Sequence, residues 1–139
     1  MKFLLVTPRS DVPSGGHLYN QRIAQLTGCD VAPLEAAKFQ PVNVIDSLYL
    51  GAPNLPDDFV WLLHWLPDGH DLSRARGIIV TSEFMASRVR ALGFTNVAVC
   101  EPGLDDRYFE TPRRKRTGHH VLTVANFVAH KGILRSSRP

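Results

Sequence analysis

Two cysteines in 139 residues, Cys29 and Cys100, are too few for a disulfide framework, and their spacing fits no metal-binding pattern. The expectation is a pair of buried free thiols in a reducing compartment, hence a cytoplasmic protein. No apolar run is long enough to span a bilayer, which leaves at most peripheral membrane contact. The opening Met1-Lys2-Phe3-Leu4-Leu5-Val6 is too short for a signal peptide, and Pro8 interrupts it without a small-residue cleavage site. Internal repeats and low-complexity tracts are missing as well, which sets aside solenoids and fibrous proteins.

Charge is scarce in one place and concentrated in another. Residues 1–106 carry 8 basic and 12 acidic side chains, while residues 107–139 carry 8 and 1. The overall net charge of +3 therefore belongs to the end of the sequence, not to its body. The basic run Arg113-Arg114-Lys115-Arg116 has neither apolar periodicity nor interleaved aromatics, so it reads as a solvated linker and no nucleic-acid partner is expected. A hydrophobic fraction of 44% with 21% charged residues is that of a globular chain.

The stretch from Gly77 to Asp105 organises the rest. Gly77-Ile78-Ile79-Val80 has the β-branched, continuous apolar character of a strand buried on both faces of a parallel sheet. Thr81 and Ser82 offer cap hydroxyls, and Glu83 complements the positive end of the helix that starts there. Met85, Val89 and Leu92 form its apolar stripe, with Phe84 beside it, and Gly93 ends it. Val97 to Cys100 is the next strand, completing a βαβ unit, and Glu101-Pro102-Gly103 follows at the strand's carboxyl end.

The same alternation precedes it. Residues 3–6 predict a first strand, followed by a polar loop. Ser14-Gly15-Gly16 leads into a helix with the stripe Tyr19, Ile23, Leu26 and a stop at Gly28. Short strands are expected at residues 30–32 and 41–45, a strong buried strand at residues 59–63, and a loop with a short helix at residues 68–76. The predicted fold is α/β, a Rossmann-like parallel sheet with flanking helices.

Two features suggest chemistry. The pair Gly15 and Gly16 lets an anion approach the backbone in front of helix amides; a flexible turn would use the same residues. His64, in His64-Trp65-Leu66-Pro67, stands at the carboxyl end of a predicted parallel strand, where open α/β sheets place site residues; a core histidine satisfied by backbone would also fit. A dinucleotide-dependent oxidoreductase is disfavoured. The glycine loop lacks a third glycine, and Asp30 lies too near the pair to be the ribose-binding acid.

Several segments together resemble the retaining glycosyltransferases of family 4, which have the two-domain GT-B architecture. They are Gly15-Gly16-His17-Leu18-Tyr19-Asn20, Val44-Ile45-Asp46-Ser47-Leu48-Tyr49-Leu50, His64-Trp65-Leu66-Pro67, Val80-Thr81-Ser82-Glu83-Phe84-Met85, Pro102-Gly103-Leu104-Asp105, and Val121-Leu122-Thr123-Val124-Ala125-Asn126 with Lys131-Gly132. The resemblance implies that residues 1–110 are the N-terminal, acceptor-side half of a GT-B fold. Residues 111–120 would then be a linker, and residues 121–139 the truncated start of a donor-binding domain, with the crossing marked by the Pro102 to Asp105 loop. It implies a nucleotide-sugar donor and an acceptor as substrates, with no cofactor and no metal. Gly15 and Gly16 would lie beside the donor diphosphate, His64 would hydrogen-bond the transferred sugar, and Lys131 would neutralise the departing nucleotide diphosphate. Family members often carry an arginine near the position of Asn126, where this chain has an amide. Since most of the donor domain is missing from these residues, little activity is expected of them alone. The alternative is a non-catalytic binding module that completes its fold against a partner polypeptide.

Overall fold

Strands of three or four residues, almost all of them apolar, have nowhere to be stable except inside a sheet covered on both faces. In the computed structural model, six of them form one all-parallel sheet. The structure describes residues 2–11, 14–66, 69–104, 106–110 and Gly118. Lys131, the basic linker around Gly118 and the strand expected at residues 121–125 lie outside them. The chain groups into two units, residues 1–103 and 104–139; the described part of the second holds a one-turn helix, Arg107–Glu110.

In the first unit the strands are β1 (Leu4–Val6), β2 (Asp30–Ala32), β3 (Asn43–Asp46), β4 (Val60–Leu63), β5 (Gly77–Val80) and β6 (Val97–Val99). Their spatial order is β2-β1-β3-β4-β5-β6. From β1 the chain first pairs outward to β2, then returns to the other side of β1 to lay down β3 and everything after it. The order therefore reverses between β1 and β3, and in open α/β sheets the crevice at such a reversal, outside the carboxyl ends of the strands, is where ligands bind. This is a Rossmann-like α/β fold.

The period-two alternation of strands divides the core into two faces. Leu4, Val6, Ile45, Trp61, Leu63, Ile78 and Val80 point to one, where Met85, Ala86 and Val89 of helix α2 (Glu83–Ala91) and Phe59 and Leu72 close over them. Leu5, Val44 and Leu62 point to the other, packed against Tyr19 of helix α1 (Gly15–Thr27). Ser14 caps α1, Gly28 ends it at φ 63°, and Ser82 caps α2 by accepting from the Met85 amide at 3.2 Å.

Four expectations need correction. Leu26 is 71% exposed, because the end of α1 faces an open groove beside the loop after β6 instead of the sheet. On α2, Leu92 is the exposed C-cap residue, and Ala86 takes the place in the buried face that the stripe assigned to it. Cys29 is only half-buried and Cys100 is exposed, since the first follows the turn at Gly28 and the second lies just past an edge strand. The described residues 69–76 form turns without a helix; there the buried Leu72 pins the loop to the core.

Candidate functional site

The carboxyl ends of β1, β3 and β4 deliver Thr7, Asp46 and His64 to one place, and α1 adds Asn20 from above. Asn20 is the one fully buried residue described on α1. Its side-chain amide donates to Asp46 Oδ2 at 2.5 Å and to Thr7 Oγ1 at 3.0 Å. Thr7 Oγ1 in turn donates to Asp46 Oδ2 at 3.1 Å. The other carboxylate oxygen, Oδ1, accepts from the Leu48 amide at 2.8 Å and from Ser47 Oγ at 3.4 Å. A carboxylate that is 1% exposed carries a large desolvation penalty unless its lone pairs are met, and here four donors meet them.

His64 closes the cluster. Its Nε2 lies 3.0 Å from Asn20 Oδ1 and 3.6 Å from Asp46 Oδ2, and its backbone amide donates to Ser47 Oγ at 3.2 Å. The Tyr19 ring meets the imidazole edge-on, with centroids 5.3 Å apart. Burial pushes the Asp46 carboxyl up, but the His64 imidazole 3.6 Å away and the hydrogen bonds from the Leu48 amide and Asn20 outweigh it and hold the group below the usual carboxylate range. Burial, with the contact at Cys100, pushes the Tyr19 phenol well above its ordinary value, so it remains a donor, its hydroxyl 2.6 Å from the Cys100 carbonyl oxygen.

Gly16 belongs to the same place. A Cβ added there would sit 3.3 Å from His64 Cδ2 and 3.4 Å from Cγ, so the glycine is what lets α1 close down on the imidazole. Gly15 faces open space and lines a cavity of about 290 Å³ with Leu18, Tyr19, Ile23 and the residues from Cys100 to Gly103. The amides of both glycines lie in the first turn of α1, where the helix has no acidic side chain of its own. Ser14 Oγ takes the His17 amide and also lies 2.7 Å from His17 Nδ1, while His17 Nε2 is buried without a partner among the described residues.

Of the residues singled out from sequence, Gly16 and His64 are brought together, Gly15 faces open space one residue before Gly16, and Lys131 lies outside the described residues. The sequence reading missed Thr7, Asn20 and Asp46 as a set. A signal was present: Asp46 is a charged residue continuing the apolar run of a buried strand, which the fold tolerates only with partners waiting for it. Among the described residues, no group of three His, Cys, Asp or Glu side chains could hold a metal ion, and no helix is long and apolar enough to cross a membrane.

Comparison with known family models, with curated proteins and with solved structures found no match for this chain.

Proposed function

We propose that residues 1–110 are the acceptor-side half of a retaining, nucleotide-sugar-dependent glycosyltransferase of the family 4 kind. One observation carries the reading: Gly16 and His64, two residues that the resemblance assigns to donor diphosphate and transferred sugar, lie in contact at the reversal point of a Rossmann-like sheet. The chemistry suits that assignment. Two glycines leave the backbone open to phosphate oxygens, and the first-turn amides of α1 add the positive end of a helix dipole. An imidazole anchored on one edge can offer its other edge to a hydroxyl-rich ring. Lys131 would supply the cation that neutralises the departing diphosphate, without a metal.

The test is a titration of the ¹⁵N-labelled chain with uridine, guanosine and adenosine diphosphate sugars, followed by amide and imidazole NMR. Saturable shifts at Gly15, Gly16 and His64 with at least one donor are expected, and they should weaken in His64→Ala. A panel that leaves all three unmoved would overturn the proposal.

A further inference from the structure

Four side chains around His64 constrain which of its nitrogens carries a proton. Asp46 accepts from Thr7, Asn20, Ser47 and the Leu48 amide, as an ionised carboxylate does. With Asp46 an acceptor only, the group that Asn20 presents to it at 2.5 Å must be the NH₂, since the amide oxygen there would put two acceptors in contact. The same NH₂ reaches Thr7 Oγ1 at 3.0 Å, and both of its hydrogens are then used. Asn20 Oδ1 is left pointing at His64 Nε2, 3.0 Å away, and an amide oxygen can only accept. Nε2 must therefore hold a hydrogen whether the ring is neutral or charged. Asp46 Oδ2, 3.6 Å from the same nitrogen, favours the same arrangement.

We propose that Asn20, oriented by Asp46 and Thr7, is a positioning residue that locks His64 in its Nε2–H form and turns the Nδ1 lone pair toward the ligand. Nδ1 has no hydrogen-bond partner among the described residues and is not one of their sealed, unpartnered atoms. Gly16 packs on the Cδ2, Cγ and Nε2 edge, which leaves the Nδ1 and Cε1 edge facing away from α1. The neutral ring is thereby committed as an acceptor on its open side, and what it recognises is a hydroxyl or N–H donor. That this donor is a sugar hydroxyl rests on the glycosyltransferase reading; the lock itself does not.

Long-range ¹H–¹⁵N NMR of His64 in the full chain, at a pH where the ring is neutral, reads the tautomer directly. The expected result is a single Nε2–H form with its proton protected from solvent exchange. Protection matters, because free imidazole already leans toward that form. In Asn20→Ala the protection should be lost. In Asp46→Asn the new amide can donate to Asn20, which frees Asn20 to turn its NH₂ toward His64 and should shift the ring to the Nδ1–H form. An Nδ1–H ring in the parent chain would overturn the proposal without any variant, and so would unchanged protection in a folded Asn20→Ala chain. Failure of the nucleotide-sugar titration would count against the function proposed above and leave this measurement standing.

Discussion

Gly16 and His64 pack so closely that a methyl group would crowd them: a Cβ on Gly16 would stand 3.3 Å from His64 Cδ2, whereas a Cβ on Gly15 meets nothing within 4 Å. Both glycines lie in the first turn of α1 without a positive φ, so alanine at either relieves the entropic cost of glycine in a helix, about 0.5–1 kcal/mol in a helix interior and less at its start. Gly15→Ala should therefore be neutral or slightly stabilising. Gly16→Ala should lose that gain to the displaced imidazole and move the His64 ring signals. Urea midpoints and His64 NMR shifts of the two variants provide the check; equal stability and identical His64 shifts would contradict it.

How much of this was readable in advance divides along a physical line. Local patterns carried the elements: the apolar runs at β1, β4 and β5, the hydroxyl of Ser82, and the stop at Gly28, with its φ of 63°, each declare themselves within a few residues. The site depends instead on long-range pairing. Asn20 and Asp46 are 26 residues apart and Asn20 and His64 are 44 apart, and nothing local tells Asn20 that it faces a carboxylate. Gly16 and His64, which the structure places side by side, belong to a glycine pair and a strand end, and both are local signals. Leu26 and Leu92 misled because a stripe shows which way a helix face points, not how far the sheet beneath it extends.

Asp46 should make stability depend on acid. Its folded-state pKa lies below its unfolded value, so the folded state holds the proton less readily and the group contributes stability above the unfolded pKa. That contribution is lost as pH falls through the folded pKa, in the range at and below ordinary carboxylate titration. Asp46→Asn should cost about 1–3 kcal/mol at neutral pH by breaking up a buried donor set, and should flatten the acid limb of the curve. Chemical denaturation from neutral pH downward measures both. An acid limb as steep in Asp46→Asn as in the parent would place the acid sensitivity elsewhere.

Tyr19 joins α1 to the end of β6 through one hydrogen bond, its hydroxyl to the Cys100 carbonyl at 2.6 Å, while its ring rests edge-on to His64. Tyr19→Phe removes the first and keeps the second. The expected loss is about 1 kcal/mol, with the His64 signals nearly unchanged. Tyr19→Ala removes both and should cost about 3 kcal/mol while moving His64. A Phe variant that shifts His64 as far as the Ala variant would show that the hydroxyl, not the ring, holds the imidazole in place.

Trp61 is the largest fully buried side chain, 1% exposed and packed T-shaped on Phe59 with centroids 4.9 Å apart, yet its indole Nε1 has no partner among the described residues. An unmet buried N–H costs about 1–3 kcal/mol. Trp61→Phe removes that N–H together with part of the ring, so the relief and the cavity it leaves oppose one another. The expected net change is within about 1 kcal/mol of the parent, against about 3–5 kcal/mol for Phe59→Ala, where only packing is lost. Thermal and urea unfolding of the two variants side by side decides the matter. A Trp61→Phe loss as large as that of Phe59→Ala would mean that the cavity outweighs the relief, as it would if the indole N–H were satisfied in solution.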